Sequence, residues 1–427
     1  MKAKPPAWRN RGFALILTLS LLALMVLAIY ALSILVRVSG QISTATTYQV
    51  QANQHARLGL AQAIGALQKL AGPDNRVTAM AGIAGAEGGS QQRHWCGVWS
   101  DGGEFLGWLT SGASDSASPT FDALEMIPLV ERRSVGVKPA ALSAYTDEEY
   151  VDAGKILITG PTVLGAMSKL GAYAFWVGDE GVKISAFVAD AGLPAGGIRV
   201  GVASAPLNIA RMGVAYQEFD SSNAGKVLAY EQSTNLFYAS GSKLTASNLR
   251  DSFHHVTLTH RSITPSGDLV AGQVNINTTS AVVWRSLIET YERSPGATAF
   301  GTESKRTSAI DAIADGIASS ASGKTAYAPY VSVEAFLSSS LLDSAVTGTN
   351  GITVDEFSTA MAPMLTTRSD TFRIRAYGEA VNRIDPSKIE AVAQCEAIVQ
   401  RTPATAPNAL GRAFVVTYFR WLGPDDI

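Results

Sequence analysis

The sequence predicts an α+β fold: a long N-terminal transmembrane and stalk helix, an antiparallel β-sheet head, and a helical subdomain inserted between the strands of that head. Three observations predict it. An uncharged run from Phe13 to Val36 leads into a proline-free stretch with helical spacing. Strand-like alternation fills residues 93–188 and returns over residues 371–422. Between these regions, residues 279–365 change to helical character.

The 427 residues are 47% hydrophobic and only 16% charged, against about 25% charged in an ordinary soluble domain. A sizeable core is available, and wholesale disorder is excluded. A formal charge of -2 gives no general reason to expect nucleic-acid binding, which shows as a basic surface. Two cysteines exclude a disulfide framework and a four-cysteine zinc site.

The first element is FALILTLSLLALMVLAIYALSILV, residues 13–36. As a helix it rises about 36 Å, enough for a hydrocarbon core of about 30 Å. Lys2, Lys4, Arg9 and Arg11 precede it with no acid among them. The positive-inside rule therefore keeps this flank cytoplasmic and sends the rest of the chain outward. A cleaved secretory signal would have a shorter apolar core and a small-residue cleavage site; here the run is followed by Val-Arg-Val-Ser-Gly.

Residues 37–71 have no proline, and Leu58, Ala61, Ile64 or Gly65, and Leu67 or Gln68 recur at near-helical spacing. Gly72-Pro73-Asp74 then gives a stop. From Phe13 to Ala71 one helix would run roughly 88 Å. Its outer half needs an apolar partner, because a lone helix is marginal in water.

In the head, Val98-Trp99, Phe105–Leu109, Met126–Val137 and Lys155–Thr159 read as strands, with Pro128 confining its run to an edge. Ala172–Val188 reads as a hairpin turning at Asp179-Glu180-Gly181. Ser280–Glu292, Ser308–Ile317, Val333–Leu342 and Val354–Ala362 read as helices, the first capped by Thr278 or Thr279. Thr371–Glu379, Lys388–Arg401 and Arg412–Leu422 then form an antiparallel meander. Phe372, Ile374 and Ala376 alternate there with Arg373, Arg375 and Tyr377. The expected organisation is 1–12 leader, 13–36 transmembrane helix, 37–71 stalk, 72–272 β-rich head, 273–366 helical subdomain, and 367–427 closing strands.

The junction Arg11-Gly12-Phe13, a basic leader ending in glycine before an uncharged helix, resembles the prepilin signal of the type IV pilin superfamily. The resemblance implies cleavage by prepilin peptidase between Gly12 and Phe13, on the cytoplasmic side. Most pilins carry Glu at the fifth mature position; here it is Leu17. That departure is similar to the K-type minor pseudopilins of type II secretion, and implies a tip-type subunit with no neighbour above it. The head resembles the same proteins through Phe175–Lys183 around Asp179-Glu180, through Val274-Asn275-Ile276-Asn277-Thr278-Thr279-Ser280, and through Ser332–Leu337. Tyr418–Asp425 resembles large PilX-like envelope proteins of Verrucomicrobia. The resemblance implies other pilin-like subunits as partners, an inner-membrane location with the head in the periplasm or envelope, and no enzymatic activity. It also allows calcium, with no ligand set matched in this sequence.

Other patterns read as ordinary structure. Ala318-x4-Gly323-Lys324-Thr325 has loose P-loop spacing, but the run before it is helical and Pro329 follows. His254, His255 and His260 near Asp251 lack metal-site spacing and read as a polar strand. Asp311 and Asp315 read as a solvated helix face, and Asp179 and Glu180 as a polar turn. Neither a GxSxG elbow nor a recognisable Cys-His motif is present, so no catalytic residue is assigned. Cys96 and Cys395 would meet an oxidising compartment outside the cytoplasm, which allows a bridge; burial as free thiols is the favoured state. The competing function is a membrane-anchored binding or adhesin-like protein outside any filament.

Overall fold

The computed structural model describes residues 11–84, 92–130, 151–161, 167–185, 253–257, 260–264, 267–292, 297–318, 328–407 and 410–423. It has the α+β architecture expected. Helix α1 (Arg11–Ala71) is one continuous element of 61 residues. Every described side chain from Phe13 to Thr47 is exposed, and the head begins at Tyr48. Residues 37–47 thus form a bare neck. Its hydroxyls turn back on the helix: Thr44 donates to the Gly40 carbonyl, Thr46 to that of Ile42 and Thr47 to that of Ser43.

Strands β1 (Arg76–Met80), β2 (Cys96–Ser100) and β3 (Phe105–Trp108) make a small antiparallel sheet. β4 (Met126–Val130) pairs with β5 (Val151–Gly154). β6 (Ile156–Pro161) and β7 (Met167–Asp179) enter the main sheet. β8 (Ile184–Ser185) pairs in parallel with β9 (Val256–Thr257), and β10 (Arg261–Ile263) pairs with β11 (Leu269–Ala271). β12 (Val274–Asn275) precedes α2 (Ala281–Glu292), α3 (Glu303–Ala318), α4 (Val333–Leu337), α5 (Ser340–Asn350) and α6 (Val354–Met361). β13 (Leu365–Thr366) then closes in parallel on β12. β14 (Thr371–Val381), β15 (Ile389–Thr405) and β16 (Arg412–Leu422) complete a five-stranded sheet of order β16-β15-β14-β7-β6, antiparallel throughout.

The outer half of α1 lies on this sheet. Ala52, Ala56, Ala63, Leu67 and Ala71 are buried against Phe175, Val177, Phe372, Ile374, Ala376, Cys395 and Val399. The stripe is built from small residues, and the sheet answers with glycines. A Cβ on Gly378 would stand 2.2 Å from the Ala56 backbone nitrogen, and one on Gly171 would stand 2.1 Å from the Glu379 carbonyl oxygen. Of the stripe expected at Leu58, Ala61, Ile64 or Gly65, and Leu67 or Gln68, Leu67 is buried and Ile64 half-buried, whereas Leu58, Ala61 and Gly65 are exposed. The buried face is centred instead on Ala52, Ala56, Ala63 and Leu67, with alanine where the backbones approach most closely.

The other sheet face meets a second core holding Trp95, Trp99, Trp108, Trp176 and Trp284 together with α2–α6. Buried indoles find carbonyl acceptors, as burial of an N–H requires. Trp95 donates to Asp152, Trp176 to His94 and Trp284 to Thr278.

Three further expectations are corrected. The Ala172–Val188 hairpin does not form, because both edges of β7 are taken by β14 and β6 and the chain leaves at Asp179 to make β8. The Val333–Leu342 helix is two helices, since Ser338 ends the first as its C-cap and Ser339 caps the next by accepting the Leu342 N–H. The α2 cap is Ser280, whose hydroxyl accepts the Val283 N–H; Thr278 and Thr279 precede it. The meander of β14, β15 and β16 forms as expected, but β14 is buried on both faces. Residues 131–137, 186–188, Asp251 and the Gly323-Lys324-Thr325 pattern lie outside the described residues.

Candidate functional site

Two places in the molecule depart from what a self-sufficient globular head needs. One is the inner half of α1. Phe13, Leu15, Ile16, Leu17, Leu19, Leu24 and Leu27 are each more than half exposed, on a helix long and apolar enough to cross a membrane. Such a surface has to be covered by lipid or by other apolar helices. Phe13 and Leu17 stand on it; Gly12 lies in the first turn of α1.

The other is a buried polar region where the head's pieces meet, and here the structure brings five expected residues together. Asn275 donates to the Thr78 carbonyl at 2.9 Å and to Ser369 Oγ at 3.3 Å. Its backbone N–H bonds the Gly181 carbonyl at 2.7 Å. Asn277 donates to the Tyr330 carbonyl at 3.0 Å and accepts the Tyr330 N–H at 2.7 Å. The Thr278 carbonyl takes the Trp284 indole. Asp179 Oδ1 accepts the Gly181 N–H at 2.7 Å. The cluster clasps β1, the end of β7, β12 and the helical subdomain into one body. Asn275, Asn277 and Thr278 are fully buried.

The polar turn expected at Asp179-Glu180 is likewise buried, and the two acids behave oppositely. Burial raises the Asp179 carboxyl to about 6, against hydrogen bonds from Ser369, Gly181 and Thr78. Its Oδ2 has no hydrogen-bond partner among the described residues. Burial would also raise Glu180, but Arg373 and Lys183 hold it well below the usual carboxylate range. Lys183 stands 2.6 Å and Arg373 3.0 Å from it, and Thr257 donates to it. Arg373 and Arg375 then reach Glu396 at 3.1 and 2.9 Å. The Phe253 ring covers Lys183, Arg373 and Arg375 at 4.9, 5.2 and 4.7 Å. Alternating arginines on β14 thus face an internal ion-pair layer, not solvent.

A second ionic junction sits where α1 ends. Arg401 is fully buried; its Nε and Nη2 donate to the Gly72 carbonyl at 3.1 and 2.7 Å, and its Nη1 to Asp370 at 3.1 Å. Asp74 accepts from Arg401 and Arg412. Burial pushes its carboxyl up, but these bonds outweigh that and hold it at about 2. Sequence reading noted Arg401 only as the end of a strand. No local pattern marked it: only folding brings it, across 329 residues, to the carbonyl end of α1, where a cation is favoured.

His254 is in a turn before β9, not in a strand, and stacks on His94 with centroids 3.5 Å apart. His94, His254 and His260 are buried. Burial depresses His94 well below the ordinary value and brings His260 to about 4. Among the described residues no group of three or more His, Cys, Asp or Glu stands close enough to hold a metal ion. Asp311 and Asp315 are exposed on α3, as expected. Cys96 and Cys395 are buried free thiols, and no bridge joins them. Both fill the apolar layer under α1, where burial drives Cys96 well up and Cys395 to about 12. A thiol without thiolate character does not exchange.

These groups define a pH response. His260 and His94 are proton-poor when folded, so the unfolded chain takes up protons first as pH falls below 6.5, and stability is lost toward pH 4. Asp179 has the opposite sign, because its raised pKa adds stability as pH falls through about 6. His260 and Asp179 each contribute roughly 2–3 kcal/mol over that window and nearly cancel, so the net loss is set by His94 and, at the acid end, by the depressed carboxyls of Glu180 and Glu396. The expected result is that Asp179→Asn steepens the loss of stability between pH 6.5 and 4.5, measured by urea unfolding in detergent. An unchanged slope would contradict the buried, protonatable Asp179.

The class the chain defines is therefore an α+β head clasped to the outer end of one long apolar helix. No protein-family model and no curated protein matches the sequence. Among solved structures it resembles the crystal structure of the GspK-GspI-GspJ complex from the enterotoxigenic Escherichia coli type 2 secretion system. The likeness covers 63% of this chain and 84% of that one at 12% identity, with a TM-score of 0.34. At those values it says nothing of function.

Proposed function

We propose that the chain is a non-enzymatic minor pilin-like subunit of the pseudopilin kind. Residues 1–12 form a leader that prepilin peptidase removes between Gly12 and Phe13. Residues 13–36 anchor the chain in the inner membrane, with the N-terminus cytoplasmic and the head in the periplasm or envelope. Residues 37–71 form the stalk; the head comprises 72–272 and 367–427, with 273–366 as its helical subdomain. Its partners are other pilin-like subunits at or near the tip of a type II secretion or type IV pilus-like filament. In lipid, helices pack through small residues, and Ser20, Ala23, Ala28 and Ala31 supply them. Leu17 in place of an acid suits a position with no subunit above it.

The observation that carries this reading is α1 itself, exposed and apolar in its inner half and buried by the head in its outer half. N-terminal sequencing of the mature chain is expected to begin at Phe13, and Gly12→Val is expected to leave the leader attached. A mature chain beginning at Met1 or beyond residue 36 would remove the pilin reading and leave an anchored binding protein.

A further inference from the structure

We infer that the head touches the bilayer a second time, through the tip of the β14–β15 hairpin, which rests in the lipid headgroup layer. This rests on the reading that residues 13–36 span the membrane.

The placement follows from the register between α1 and β15. Gln49 donates to the Val392 carbonyl, and Arg401 to that of Gly72. Between these ties α1 rises about 35 Å over its 23 steps, and β15 about 30 Å over its 9. The two therefore run nearly parallel, both away from the membrane, and the hairpin joining β14 to β15 points back toward it. Gln49 stands about 20 Å above Val36 along the helix. Lys388 stands about 13 Å below Val392 along the strand. The base of the loop is thus about 7 Å above the end of the apolar run, and the headgroup layer is about 5–7 Å thick on each side.

The loop is built to hold an apolar side chain outward. Asn382 Oδ1 accepts the N–H groups of Ile384 and Asp385 at 2.8 and 3.1 Å. Asp385 Oδ1 accepts from the Ser387 N–H and hydroxyl. The Asn382 N–H bonds the Lys388 carbonyl at 2.8 Å. Ile384 is left 95% exposed on this rigid turn, with Arg383 and Lys388 exposed on either side. There is a second exposed apolar residue. Ala380 pairs with Gly171, and β7 begins four residues beyond that pair, at Met167, on the same end of the sheet as the loop; Met167 is 66% exposed. Two apolar side chains exposed at the sheet end nearest the membrane, Ile384 set among the charged Arg383, Asp385 and Lys388 of a polar turn, match an interfacial contact.

The test uses the full chain in phosphatidylcholine vesicles, with an environment-sensitive fluorophore on single introduced cysteines; buried Cys96 and Cys395 do not label. Ile384→Cys and Met167→Cys are expected to be quenched by headgroup-spin-labelled lipid about twofold or more relative to Leu410→Cys, at the opposite end of the sheet. Val26→Cys, quenched by acyl-chain spin label, reports the anchor independently. Quenching at residue 26 with none at 384 and 167 overturns the second contact and leaves the anchor standing. Shielding of 384 from aqueous quencher without lipid quenching means a protein covers it, which also overturns the proposal. Absence of quenching at residue 26 removes the anchor reading, and this contact falls with it.

Discussion

Replacing Arg401 with methionine is expected to destabilise the head by about 3–5 kcal/mol, the range for breaking a buried ion pair from one side. Methionine keeps much of the volume but none of the donors. Asp370, almost fully buried, would lose its buried partner at 3.1 Å and keep only the more exposed Arg368, at 3.3 Å, as a cation. The Gly72 carbonyl would lose two donors and keep only the Arg412 N–H at 2.9 Å. Lysine would not replace it, because one ammonium cannot serve Gly72, Asp74 and Asp370 as a planar fork does. Tryptophan fluorescence during denaturant unfolding in detergent would report the change. Asp370→Asn in the same chain should recover part of it by removing a buried charge then balanced by Arg368 alone. A loss below about 1 kcal/mol would mean that the junction is wet and adaptable, as exposed pairs are.

Gly378→Val should be comparably damaging for a different reason. The new Cβ would lie 2.2 Å from the Ala56 nitrogen and 2.3 Å from the Ala52 oxygen, both backbone atoms of α1. No rotamer relieves such a contact, so the helix must lift from the sheet along its buried length. Overpacking commonly costs 1–3 kcal/mol, and more where backbone must move; about 3 kcal/mol or more is expected. Gly65→Ala in the same helix is the control. Its Cβ would meet nothing within 4 Å, so helix propensity alone should stabilise by about 0.5–1 kcal/mol. If both variants unfold at the wild-type midpoint, the close approach of helix and sheet is wrong.

What the sequence disclosed depended on the kind of signal. The anchor was legible because an uncharged run of that length has few other uses. The meander was legible because alternation in Phe372–Tyr377 has a period of two. The same alternation said nothing of environment: Arg373 and Arg375 face Glu180 and Glu396, acids outside β14. The helix stripe was legible only at Ile64 and Leu67; nearer the membrane the contact is made by Ala52 and Ala56 against Gly378, a close approach that apolar periodicity does not single out. Asp179-Glu180-Gly181 carried the composition of a hairpin turn. Lys183 stands three residues from Glu180, but nothing local revealed that Arg373, 193 residues on, would join it to draw Glu180 inward. The asparagines of residues 275–277 were visible as a motif, yet their work as a clasp required Thr78, Tyr330 and Ser369 to be brought to them.

The bare neck has a mechanical consequence. Above Tyr48 the helix is clamped along the sheet and held at its far end by Arg401, so head and outer helix move as one stiff lever. Residues 37–47 have neither protein support nor a stretch of charge pairs, and their threonine hydroxyls bond back to carbonyls one turn below, a pattern that bends helices. Sideways load on the head is therefore taken up over about three turns of helix, and the head tilts there before any of its own contacts yield.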